Sequence, residues 1–211
     1  MKHFTNEALS AADRFFRANL VNCLTGIKPA LLIGTMDERG RNNLALFSSV
    51  FHLGADPALI GFVQRPLTDF SHTYRNIIAS GSFTINHVPG KMVAAAHHTS
   101  AKFNDSESEF DKCGFTPAFT DGFPAPYVAE SGIRIGLRFV REIAIPENGT
   151  RLMIGEVREV WIDEELLLPD GNLRLEDGVS VGVGGLESYY SLQAVGRFSY
   201  AKPDRVPVNL L

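Results

Sequence analysis

The chain has 211 residues, 45% of them hydrophobic and 21% charged, with a formal net charge of −4 at pH 7. That length suits one domain or two small ones, able to bury roughly 70% of the surface its extended chain exposes without a structural metal or disulfides. The acidic balance argues against a nucleic-acid partner, which selects for a basic face, and no run approaches the roughly 18–20 apolar residues that span a bilayer.

The two cysteines, Cys23 and Cys113, lie far apart with no other sulfur ligands around them. Free thiols in a reducing compartment are expected, and the opening residues lack the apolar core of a secretory leader. The expectation is a cytoplasmic protein.

Residues 5–18 carry Ala8, Leu9, Ala11, Ala12, Phe15 and Phe16 among polar side chains, which approximates one helical face. Next come two apolar runs, P-A-L-L-I-G-T-M at 29–36 and N-N-L-A-L-F-S-S-V-F at 42–51, separated by D-E-R-G. This pattern predicts a β-hairpin, with Gly40 supplying the positive φ of its turn. A third strand is expected over 58–63. Phe70, Thr73, Tyr74, Ile77 and Ile78 recur at helical spacing, and Gly81 is placed to stop that helix. Residues 82–88 alternate as a strand, with Phe83, Ile85 and His87 on one face and Thr84 and Asn86 on the other.

An Ala-rich helix is expected over 91–98 and a short one over 107–113. The Pro- and Gly-rich stretch 115–127 reads as a long loop, and such loops usually have a use. Two long strands follow, 133–145 and 151–162, joined by an E-N-G-T turn. Gly155 lies inside the second and predicts a bulge or a tight corner. An acidic excursion, 163–178, leads to a strand near 179–183 and a tail ending in 189–200.

Seven or eight strands in hairpins, with about three helices inserted between 65 and 113, do not make βαβ repetition. An antiparallel barrel, which removes its own edges, fits better. The fold class expected is mainly β with inserted helices. Three segments follow: an N-terminal arm over 1–24, the barrel domain over 25–165, and a C-terminal extension over 166–211 that packs on the barrel or across a dimer.

Acid–base and metal constellations are not evident. His52, His72, His87, His97 and His98 lack carboxylate or cysteine partners at metal-ligand spacing, and they read as structural or solvated. Glu107, Glu109 and Asp111 read as a solvated helix face. There is no G-x-S-x-G elbow, and Gly182, Gly184 and Gly185 fall short of a dinucleotide fingerprint. No catalytic residue and no metal ligand is assigned.

An ordered set of pieces resembles the flavin reductase-like proteins, whose domain is an FMN-binding split β-barrel. The pieces are 29–40, 42–51, G-A-D-P-A-L-I-G-F-V at 54–63, H-T-Y-R-N-I at 72–77 and G-S-F-T-I-N at 81–86. The resemblance covers about residues 25–165. It implies a homodimer with FMN near the subunit interface, and often hydride transfer from NADH or NADPH. Some members of the family serve a partner oxygenase, and others hold FMN for electron transfer to a small-molecule or protein acceptor.

The resemblance also implies site residues. Ala45, Ser48 and Ser49 belong to the flavin wall, and Thr73, Asn76 and Asn86 occupy the family's Thr and Asn places. Arg65 follows the third strand and suits a phosphate or ribityl contact, since its guanidinium donates two hydrogen bonds at once. Lys91 and Lys102 flank the Ala-rich helix and would balance phosphate or nicotinamide charge. The reading is an FMN-dependent oxidoreductase with no nucleic-acid or membrane partner. The alternatives are an FMN-binding electron carrier or small-molecule-binding protein without nicotinamide activity, and a haem or F420 protein on the same barrel.

Overall fold

The structure is a computed structural model that describes residues 1–210. The expected N-terminal helix is two helices, α1 (Asn6–Ala11) and α2 (Arg14–Cys23). Asp13 divides them, because its carboxylate accepts from the backbone N–H groups of Phe15 and Phe16 and so caps the second. Neither helix buries a residue.

Strands β1 (Lys28–Pro29), β2 (Leu31–Met36), β3 (Asn42–Phe47), β4 (Val50–Ala55) and β5 (Ala58–Gln64) come next. The β2–β3 turn closes as expected: Gly40 has φ +77°, and its N–H donates to the Asp37 carbonyl at 3.0 Å. After α3 (His72–Ser80) the chain turns at Gly81, φ +69°, into β6 (Ser82–His87). Helices α4 (Val93–His98) and α5 (Glu109–Cys113) precede the short strands β7 (Pro117–Ala118) and β8 (Tyr127–Val128). The long hairpin β9 (Ile133–Ile145) and β10 (Thr150–Ile162) follows, then β11 (Val181–Gly184) and β12 (Ser188–Ser191). The strand expected near 179–183 is β11, and the tail forms strand as far as Ser191.

Seven strands form one antiparallel sheet in the order β3-β2-β6-β9-β10-β5-β4. The run 42–51, expected as one strand, therefore supplies both outermost strands. In a flat sheet those edges would stand about 29 Å apart, at roughly 4.8 Å per spacing. Only Ser48 and Ser49 join them, and three Cα steps reach about 11 Å. The sheet must curl until its edges approach. Among the described residues no ladder pairs β3 with β4; the Val63 N–H donates to the Ser49 carbonyl at 2.9 Å instead.

Period-two alternation then sorts the core. Leu31 and Ile33 of β2 pack inside the curl with Val50, Phe62, Ile77, Phe83, Ile85, Leu137 and Met153. Leu32, with Ala30 before the strand, packs on the outside with Leu44, Val88, Ala96, Phe110 and Val128. Val181 and Val183 join this outer cluster, so the segment beyond 166 returns to the core by pairing β11 with β1. Gly155 lies at a register shift, where a Cβ would stand 2.6 Å from Phe83 Cζ. Among the described residues no helix is long and apolar enough to cross a membrane.

The 115–127 loop covers the outer face of β6. Thr84 and Asn86, on the face opposite Phe83 and Ile85, are fully buried beneath it. The Thr84 hydroxyl donates to the Pro126 carbonyl at 2.6 Å, and the Val128 N–H donates to Asn86 Oδ1 at 3.0 Å.

Candidate functional site

The curl leaves a cleft of about 480 Å³, within the usual range for small-molecule sites. Its floor is β3 and the Ser48–Ser49 link; its sides are the end of β5, the start of α3, the turn after α4 and the β11–β12 turn. The walls mix apolar groups (Ala45, Leu46, Phe47, Val63, Phe70) with polar ones (Asn43, Ser48, Gln64, Thr73).

Several groups of the cleft suit negative charge. Arg65 and Lys102 both line it. Thr73 lines it from the first turn of α3. Ser71 is the N-cap residue of α3 but makes no capping bond; its hydroxyl accepts from Thr68 N–H at 2.9 Å instead. The first-turn amides of α3 thus have no capping side chain, and a helix N-terminus in that state favours an anion. Polar contacts hold the neighbouring loop in place: Asp105 forms an ion pair with Arg75 at 2.9 Å, and its Oδ1 lies 2.7 Å from His72 Nε2. That ties the segment following Lys102 to α3. The Lys102 ammonium sits 5.3 Å from the Phe70 ring centroid.

Glu109 also lines the cleft, at only 5% exposure. Its Oε2 accepts the Leu44 N–H at 3.1 Å, which satisfies an edge amide of β3. Burial pushes its carboxyl above the ordinary carboxylate range. His97 also lines the cleft, and its Nδ1 lies 2.9 Å from the Tyr189 phenol.

A profile of the Flavin reductase like domain matches residues 27–174. The chain belongs to the flavin reductase-like family. It is similar to a candidate flavin reductase with a split barrel domain from Shewanella frigidimarina NCIMB 400, at 39% identity and a TM-score of 0.91, over 95% of this chain and 100% of that one. It is also similar to the flavoredoxin of Desulfovibrio vulgaris (Miyazaki F), at 25% identity and a TM-score of 0.72, over 97% and 98% of the two chains. Nitrilotriacetate monooxygenase component B from Bacillus cereus shares the fold, with a TM-score of 0.80 at 24% identity over 92% and 96% of the chains.

In this flavin reductase-like chain, six of the residues expected at the site come together around the cleft: Ala45, Ser48, Ser49, Arg65, Thr73 and Lys102. Three lie elsewhere. Asn76 is buried behind Thr73, where its amide donates to Thr35 Oγ1 at 3.1 Å. Asn86 is fully buried, with Leu32 O, Thr84 Oγ1 and Val128 N–H as its partners. Lys91 is exposed in the turn that leads into α4, away from the cleft lining.

One further reading is corrected. Glu109 is not on a solvated face, because the apolar side of α5 turns it inward together with Phe110 and Cys113. His97 is exposed, in keeping with a solvated histidine, and stands in the cleft wall beside Tyr189. Asn43 was missed as well. It shares the face of Ala45 on β3 by strand parity, and that parity was the available signal. Leu186 and Glu187 reach the cleft from a turn remote in sequence, which no local pattern announces.

Proposed function

We propose that the cleft binds FMN and that the protein is an FMN-dependent oxidoreductase taking hydride from NADH or NADPH, working as a homodimer. One observation carries the reading: Arg65, Lys102 and Thr73, the last in the uncapped first turn of α3, line one cleft of about 480 Å³ in a chain of this family. A phosphate wants that combination of fixed donors and positive charge.

The residues divide the work. Arg65, Lys102 and Thr73 hold the phosphate, with Ser48 and Ser49 as further donors. Ala45 is small enough for a flat ring to lie against the β3 backbone. The bound FMN supplies the hydride-accepting chemistry, which asks for position more than for a protein acid or base. Apolar Phe47 and Val63 exclude water from the ring end. The curled sheet is read as the split barrel of the family.

Exposed apolar side chains support self-association. Phe15, Leu24 and Ile27 lie open on the N-terminal segment, and Val195, Tyr200 and Val206 on the tail. Monomers seldom leave so much apolar surface in water. Light scattering at micromolar concentration is expected to give the mass of two chains; a monomer with full FMN affinity overturns this part.

The activity test is anaerobic addition of NADH or NADPH to the FMN-loaded protein. Bleaching of the flavin absorbance is expected with one of them. No bleaching favours the electron-carrier reading, which the similarity to a flavoredoxin supports.

A further inference from the structure

We propose that Asn43 is a positioning residue that commits the Thr73 hydroxyl to donate into the cleft, toward the anionic group of the ligand. The inference rests on the FMN reading above and adds a residue to it.

Four polar side chains meet where Asn43 and Thr73 line the cleft, and each is more than nine-tenths buried: Thr35 (0% exposed), Asn43 (6%), Thr73 (5%) and Asn76 (8%). They come from three elements, β2, β3 and α3. Asn43 Nδ2 donates to Thr35 Oγ1 at 3.1 Å and to Thr73 Oγ1 at 3.0 Å, using both amide hydrogens. Asn76, one turn beyond Thr73 on α3, donates its own amide to Thr35 Oγ1 at 3.1 Å.

The direction of these bonds matters more than their number. A hydroxyl has one hydrogen and two acceptor lone pairs. Asn43 Nδ2 offers only hydrogens, so it occupies a lone pair of Thr73 and leaves the Thr73 hydrogen to point elsewhere. Thr73 stands in the first turn of α3, so the residue four back, Asp69, precedes the helix and offers no in-line helical carbonyl to take that hydrogen. Among the described residues no acceptor takes the Thr73 hydrogen, and Thr73 lines the cleft. The hydrogen is therefore free to donate into the cleft, where a ligand oxygen can accept it.

A purely structural role, tying α3 to the sheet, would make no distinction between ligands. The positioning role does, so the test compares FMN with riboflavin, which lacks the phosphate. Equilibrium dissociation constants for both are measured on wild type, Asn43→Ala, Thr73→Val, Thr73→Ser and the Asn43→Ala/Thr73→Val double variant. Thr73→Val is expected to weaken FMN by about tenfold, the scale of one hydrogen bond to a charged group, and to leave riboflavin unchanged. Thr73→Ser is expected to keep wild-type affinity. Asn43→Ala is expected to weaken FMN selectively, and the double variant to be no worse than Thr73→Val alone.

Fold losses that multiply in the double variant, or equal losses for FMN and riboflavin in Asn43→Ala, overturn the inference. Should Asn43→Ala fail to fold, Asn43→Asp has the same size and only acceptors, and it draws the Thr73 hydrogen inward. In that background Thr73→Val is expected to cost nothing further, and a further loss overturns the inference. If Thr73→Val and Arg65→Ala both leave FMN affinity intact, the phosphate reading itself fails. If those two weaken FMN and Asn43→Ala does not, only the inference fails.

Discussion

Asn86 Oδ1 accepts the Val128 N–H at 3.0 Å, and this bond joins the centre of the sheet to the loop that covers it. The Asn86 amide group also donates to Leu32 O at 3.2 Å and to Thr84 Oγ1 at 2.9 Å, so the side chain is saturated by the protein. Asn86, expected at the site, has an amide that partners buried backbone and Thr84 instead.

Asn86→Ala is therefore expected to act on stability. It leaves buried donors and acceptors unpaired, at a cost of at least about 2 kcal/mol. Urea unfolding followed by circular dichroism reads that loss. A variant of wild-type stability with weakened FMN binding would return Asn86 to the site.

Arg65→Ala is expected to weaken FMN by about 1.5–3 kcal/mol, the range for hydrogen bonds to charged groups. Riboflavin affinity is expected to hold. Fluorescence titration of the two flavins gives the comparison, and equal losses would remove Arg65 from the phosphate.

Gly155→Ala tests the corner of the sheet. An added Cβ would stand 2.6 Å from Phe83 Cζ and 2.9 Å from Phe83 Cε1, and 3.1 Å from Leu137 Cδ2. Phe83 is fully buried and cannot swing away. Overpacking of this kind costs about 1–3 kcal/mol, visible as a lowered melting temperature. An unchanged melting temperature would mean that β10 relaxes at its bulge.

His87 gives the pH dependence. Its Nδ1 lies 3.0 Å from the Ser180 hydroxyl, and burial lowers its pKa from 6.5 to about 4. The folded ring stays neutral where the unfolded ring takes a proton. The unfolded state then binds more protons below pH 6.5, so stability falls as the pH drops from 6.5 toward 4. One proton contributes at most about 1.4 kcal/mol per pH unit. His87→Gln is expected to flatten that slope in urea titrations across the same window; a slope equal to wild type would show that other groups set it.

The sequence carried the strands well because their apolar alternation and turn glycines are local signals. Gly40, Gly81 and Gly155 each sit where a turn, a helix stop or a bulge requires them. What it did not carry was set by distance along the chain. Residues 42–51 read as one strand because nothing local says that Ser48 and Ser49 cross between the two edges of a sheet. Glu109 read as solvated because its burial depends on α5 docking against β3. The cleft residues that were legible lie on or beside strands and helices with clear patterns, such as Ala45, Arg65 and Thr73. Those that were not, such as Leu186 and Glu187, arrive from a turn whose place is fixed only when β11 pairs with β1.

The site itself is tested most directly by a crystal structure of the protein with FMN. The expected result is the phosphate at the start of α3, within hydrogen-bonding reach of Arg65 and Thr73, with the ring against Ala45. A phosphate bound elsewhere, or a cleft that stays without flavin at saturating FMN, would contradict it.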